Sequence, residues 1–297
     1  MKQLQEVSTQ TTSTKSPQIR MLVDMMERLW QNKLSVAGGI FMLILIIMAI
    51  FAGLLAPSDP AAQNYSAVLQ GPSAAHWFGT DNLGRDILSR VIYGAQVSLK
   101  AGLISVGIAL IIGLPIGLFS GYYRGLWDEF FIMRFTDAML AFPPLVLALT
   151  LAAVLGAGLE NAMIAIGLVF TPNYIRLMRG EVLARRESEY VEAAKSSGIK
   201  DWRIMLFHIL PNSMGPILVM ATLNIAGAII AEASLSFLGL GTQPPTPSWG
   251  AMLAEGQGYL TEAPWLVFFP GLFIFLAVMS INLFGDGLRD MLDPKSK

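Results

Sequence analysis

The stretch of this chain whose residue types and spacing could do chemistry reads Glu192-Ala193-Ala194-Lys195-Ser196-Ser197-Gly198, with Leu210-Pro211 following a dozen residues on. Residues 187–197 can be helical, Gly198 suits the left-handed turn past a helix C-terminus, and Asp201 can cap a second short helix that ends before Pro211. The chemistry this favours is recognition of a protein surface. Ala193 and Ala194 leave a low spot that a partner can approach closely, and Glu192 offers a charge to pair across the contact.

Other chemistries are excluded. The chain has no cysteine, so it can form no disulfide, thiolate zinc site or iron–sulfur cluster. No Gly-Lys pair occurs, which removes the phosphate-cradling loop G-x-x-x-x-G-K-[ST] and with it ATP binding of that kind. His76 and His208 stand alone without an H-E-x-x-H pattern, so no metal site and no catalytic residue is expected. No run of like charge suggests a nucleic-acid partner. A membrane enzyme would need a polar constellation inside the apolar segments. An ion-coupled carrier would need ionisable groups there, and the middle of every apolar segment has none.

The elements that must position the Glu192 segment follow from composition. With 54% hydrophobic and 14% charged residues among 297, the chain has too little polar surface for a soluble globule and belongs in a membrane. Apolar stretches long enough for a hydrocarbon core of about 30 Å predict six spans, at 35–56, 101–123, 138–159, 161–178, 213–234 and 263–284. The fourth is short and contains Pro172, but Arg176 and Arg179 can snorkel to the interface. Residues 1–34 read as a tail followed by an amphipathic segment, either a helix on the membrane surface or an extension of the first span. Residues 179–212 form the longest expected cytoplasmic segment between spans. Residues 57–100 hold a loop and a helix from Leu83, capped by Thr80 or Asp81. Residues 235–262 form a turn-rich outer cap, and 285–297 a second tail.

Lys and Arg set the orientation. Seventeen fall in 1–34, 124–134, 176–203 and the C-terminal tail, against Arg85, Arg90 and Lys100 on the other side. Because cytoplasmic segments retain positive charge, both termini and the Glu192 segment are expected in the cytoplasm. Gly102, Gly107, Gly113 and Gly117 permit close helix contacts, of a kind ordinary to membrane packing.

With its position between the fourth and fifth spans, the pattern of Glu192, Ala193, Ala194, Gly198, Leu210 and Pro211 resembles the cytoplasmic signature of bacterial ABC-importer permeases. His208 stands where that signature has an aliphatic residue. His76-Trp77-Phe78-Gly79-Thr80-Asp81, Leu235-Ser236-Phe237-Leu238-Gly239-Leu240-Gly241 and Gly285-Asp286-Gly287-Leu288-Arg289-Asp290 are similar to one branch, the dipeptide, oligopeptide, glutathione and nickel permeases. The resemblance implies an all-α type I importer fold in the bacterial inner membrane, the first span peripheral and the other five around the pathway. It also implies a partner set: a second, homologous permease, two ATPases that bind the ATP and Mg, and an extracytoplasmic substrate-binding protein, with no cofactor in this chain. Peptide is the expected cargo. A nickel chelate is the alternative.

Glu232 is the one acidic residue with long apolar sequence on both sides. Two readings stay open. It can line the outer pathway and meet the ammonium of an entering peptide, or it can pair with Arg85 or Arg90 and brace the outer gate.

Overall fold

The computed structural model describes residues 32–292. The amphipathic segment expected before the first span lies almost wholly outside the described residues, as do residues 293–297. Among the described residues the architecture is all-helical, with loops at both ends of the bundle.

Helix α1, Lys33–Ile50, starts where the Asn32 side chain accepts from the Ser35 amide. It packs along the bundle's edge, with Gly38 against the backbone of Ser280. Helix α2, Ile87–Tyr123, runs unbroken through 37 residues, about 55 Å at 1.5 Å per residue. The separate outer helix expected from Leu83 is therefore the first part of α2. Its cap is Asp86, which accepts from the Ser89 amide at 2.8 Å, in place of Thr80 or Asp81. The difference is local: Asp81 spends its carboxylate on the turn at Leu83 and Arg85, which delays the helix to Ile87.

The third expected span is broken. A π-helical stretch, Trp127–Met133, leads into α3, Arg134–Leu140, and the chain then bends by 100° before α4, Pro144–Leu155. Pro143 and Pro144 explain the break: neither can donate a backbone hydrogen bond, and the ring of each disfavours helical geometry in the residue before it. Helix α5, Leu159–Arg185, continues through Pro172 well past the expected inner end at 178. Helix α7, Met214–Phe237, and α9, Trp265–Leu292, complete the long helices, with the short α6, Glu189–Ser196, below and α8, Trp249–Gly256, above. Four of these, α1, α2, α7 and α9, are long and apolar enough to cross a membrane, five counting the bent pair as one span.

The most extensive helix pair is α2 with α5. An added Cβ at Gly113, Gly117 or Gly121 would come within 3.0 Å of the α5 backbone, at Thr171 O, Ile175 O and Arg179 O respectively. Four-residue spacing puts these glycines on one face, so the two backbones meet along a seam. Of the expected glycine contacts, Gly102 also meets α7 through Ile225, whereas Gly107 has nothing within 4 Å.

That contrast gives a test. Gly117→Val forces backbone apart and should lower the thermal midpoint of the detergent-purified protein, an overpacking penalty of about 1–3 kcal/mol. Gly107→Val should leave the midpoint unchanged. Equal midpoints for the two variants would remove the seam's structural role.

Candidate functional site

The Glu192 segment hangs below the bundle as α6 and a second helical stretch, Asp201–Arg203, joined by Gly198 at φ 74°. The Gly198 amide bonds Lys195 O and the Ile199 amide bonds Ala194 O, the paired closure of a helix ending in a left-handed residue. Within α6, Glu192 and Ala193 face outward. Ala194 does not: it packs with Val191 and Ile204 on Leu118, Met178 and Val182 beneath α2 and α5. The expected two-alanine low spot is thus a single exposed alanine, because adjacent helical positions point about 100° apart.

Two further expectations change. Asp201 does not cap the second helix; Lys200 precedes it, and the Asp201 carboxylate instead accepts from Tyr122 Oη at 2.7 Å. That helix does not end before Pro211 but widens into a π-helical turn, Ile204–Ile209, passes through Leu210 and Pro211, and reaches α7 with one turn residue at Ser213. Pro211 cannot donate to the preceding turn, and the Ser213 hydroxyl bonds Ile209 O, so the widened turn absorbs the lost bond.

Tyr122, in the last turn of α2, was not legible as a site residue. It donates to Asp201, lies under the Lys195 ammonium at 5.4 Å from the ring centroid, and offers its carbonyl to Arg186 at 3.4 Å. One side chain therefore ties both helices of the segment to α2. Nearby, Arg179 holds Asp128 through two nitrogens, with Nη2 at 2.6 Å, and Arg176 holds Asp137 at 2.5 Å, fixing the bent arm to α5.

At the end of the bundle away from the Glu192 segment the structure brings Arg85 and Arg90 together, but not with Glu232. Arg85 Nε donates to Asp81 at 2.6 Å, and both arginines donate to Glu255 Oε2 at 2.8 Å. This knot clamps α8 and the outer loop onto the start of α2. Trp249, fully buried, reinforces it by donating to Val91 O at 2.9 Å. Glu232 is 0% exposed and accepts from Ser236 Oγ at 2.6 Å and Thr242 Oγ1 at 3.2 Å; its second oxygen has no hydrogen-bond partner among the described residues. The expected pairing with Arg85 or Arg90 is replaced by a pin between α7 and the loop after it. The reason is supply: Asp81 and Glu255 already occupy the arginines.

Helix α7 keeps one face open. Three grooves follow it: about 540 Å³ at the end near the Glu192 segment, beside α5 and α9, 240 Å³ beside α4 and α5, and 370 Å³ at the opposite end beside α8 and α9. Gly215, Val219, Leu223, Gly227, Ile230 and Ser234 supply its floor at helical spacing.

The fold is thus a bundle of apolar helices of membrane-crossing length with an open, largely apolar groove along α7. Residues 113–297 match the family described as binding-protein-dependent transport system inner membrane component, and residues 21–72 match the N-terminal transmembrane domain of oligopeptide transport permease C. The chain is 51% identical over 271 residues to the dipeptide transport system permease protein DppC of Alkalihalophilus pseudofirmus, covering 91% of this chain and 89% of that one. It is 46% identical to the glutathione transport system permease protein GsiD of Pectobacterium atrosepticum, covering 91% and 90%. It is also 46% identical to the probable D,D-dipeptide transport system permease protein DdpC of Escherichia coli K12, covering 96% of each. An inward-facing crystal structure of the MetNI methionine ABC transporter shares the fold, with TM-score 0.58 at 17% identity over 70% of this chain and 98% of that one. The chain belongs to the binding-protein-dependent transport system inner membrane components. It is a non-catalytic permease subunit, and membership implies ATPase and substrate-binding partners.

The Glu232 pin makes a measurable difference between two variants. Glu232→Ala strands the Ser236 and Thr242 hydroxyls and should cost about 1–3 kcal/mol, read as a lower thermal midpoint. Glu232→Gln keeps an acceptor oxygen and should lose distinctly less. Equal losses would mean that burial volume, rather than the hydrogen bonds, is what Glu232 supplies.

Proposed function

We propose that this chain forms half of the translocation pathway of an ATP-driven importer of di- and oligopeptides or glutathione-like peptides, in a bacterial inner membrane. The observation that carries the reading is the open face of α7: a continuous wall of small and apolar side chains with grooves at three depths, suited to solutes of varied side chain. The dipeptide and glutathione names of the relatives support the cargo. A second, homologous permease supplies the facing wall. ATP and Mg bind to two ATPase subunits, this chain holding no cofactor, and an extracytoplasmic binding protein delivers the substrate.

In this reading the chain spans the membrane six times, with both termini in the cytoplasm. Glu192, Ala193, Ala194, Gly198, Leu210 and Pro211 form the segment that docks on an ATPase. Its exposed surface, with Glu192, Ala193, Trp202 and Phe207, supports docking. Its Tyr122 anchor supports transmission of movement into α2. Arg85 and Arg90 hold the outer gate with Asp81 and Glu255, and alternating access follows from rocking of the bundle.

Gly198→Val, which places a β-branched residue at positive φ, and Glu192→Lys, which reverses the exposed charge, should each reduce ATP-driven uptake at least about tenfold at unchanged membrane insertion. Uptake in whole cells beside substrate-stimulated ATP hydrolysis of the purified complex checks this. Normal values for both variants would remove the coupling role.

Orientation has an independent check, free of background because the chain has no cysteine. Cysteines at Ser73 and Gln257 should react with a membrane-impermeant thiol reagent added to intact cells, and one at Ser196 only after permeabilisation. Labelling of Ser196 from outside would invert the topology.

A further inference from the structure

The inner end of the α7 wall differs in chemistry from the rest. The middle and outer grooves have no charged residue in their linings, whereas the inner one sets Arg185, Asn212 and Arg289 opposite Leu177, Val219 and Leu223. Arg185 already pairs with Glu181, one turn back on α5. Arg289 is exposed in the last turn of α9 and has no ion-pair or hydrogen-bond partner among the described residues. The groove, about 540 Å³, is of the size that holds a small organic solute. Gly215 beside it leaves space, since an added Cβ there would meet nothing within 4 Å.

We propose that Arg289, with Asn212 and Arg185 beside it, is a carboxylate-receiving site at the inner mouth of the pathway, engaged by an anionic group of the peptide as it leaves. This rests on the transport reading above and adds to it a place where cargo charge is felt. The guanidinium presents a planar fork of N–H donors that matches a carboxylate. The apolar border accepts side chains without selecting among them. Exposure keeps the contact weak, because solvent screens it, and weakness is what a release site needs. A binding protein can therefore set affinity on the outer side while Arg289 affects only how fast an anionic cargo clears the inner side.

The test uses the whole complex, this chain with its partner permease, ATPases and binding protein, in phosphatidylcholine vesicles with and without phosphatidylglycerol. Initial rates of ATP-driven uptake are compared for alanyl-glutamate, alanyl-alanine and alanyl-lysine. Arg289→Gln should slow alanyl-glutamate about fivefold, the scale of one exposed charge contact. Alanyl-alanine should slow less and alanyl-lysine least, with half-saturating concentrations unchanged. Arg289→Lys, which keeps the charge and loses the fork, should recover part of the rate, more than Arg289→Gln. Binding-protein-stimulated ATPase activity should not change, which separates a cargo contact from a structural defect. Equal loss for the three peptides, or none, would overturn the carboxylate site. A loss seen only with phosphatidylglycerol and independent of peptide charge would overturn it too, in favour of a lipid headgroup at Arg289. If the unaltered complex carried none of the three, the transport reading itself would fall.

Discussion

Everything in this bundle is positioned by the seam where α2 and α5 meet backbone to backbone. In lipid no hydrophobic drive pushes two apolar helices together, so their association rests on packing contacts and on how closely the main chains approach. Gly113, Gly117 and Gly121 permit that approach along three successive turns, and Gly167 repeats it from the α5 side against Ser105 O. Once α5 is held this way, its inner half presents Arg176 and Arg179 to the bent arm, and Tyr174 accepts a hydrogen bond from Asn224 of α7 at 3.1 Å. The open face of α7 then looks away from α2 because its other faces are taken by α2, α5 and α9.

Polar contacts at the two ends serve a different purpose from the glycine seam. The outer knot of Asp81, Arg85, Arg90 and Glu255 is nearly dry: Arg90 is 1% exposed and Asp81 2%, while Glu255 keeps access to solvent. A buried charge network of this kind contributes little net stability relative to apolar packing, yet removing one member is costly because it strands the others. Such a network resists partial states, so the outer loop, α8 and the start of α2 move together or not at all. Glu232 does the same job on a smaller scale for the loop after α7.

Much of this was readable in the sequence, and the failures have physical reasons. The long apolar helices and the helix-turn-helix at Gly198 follow from hydropathy and turn preference, and of the knot only its two arginines, Arg85 and Arg90, were singled out by charge placement. Pairing within the knot was not readable. Arg85 and Arg90 have three carboxylates in reach of plausible folds, and only the placement of α8 decides for Glu255 over Glu232. Tyr122 was missed because a tyrosine at the end of an apolar run reads as an interfacial anchor. Its role depends on Asp201 and Lys195, which lie more than seventy residues further along the chain. The break at Pro143 and Pro144 falls inside a stretch expected as one span, and its size of 100° depends on how α3 and α4 each dock on α5.

The unbroken length of α2 gives the proposed coupling a mechanical route. Its inner end carries Tyr122, held by both helices of the docking segment. Its outer end carries Arg90 and the Asp86 cap, held by the knot. An α-helix resists compression along its axis, because shortening it means breaking backbone hydrogen bonds that lipid cannot replace. A displacement imposed at Tyr122 would therefore reach Arg90 as a tilt or rotation, with any bending concentrated at Pro115 inside the helix. The glycine seam carries α5 with it, and the knot at the outer end either holds or repacks as a unit. Two ends joined by one continuous helix, each fixed by interactions that do not stretch gradually, form the kind of element that has two positions and few in between.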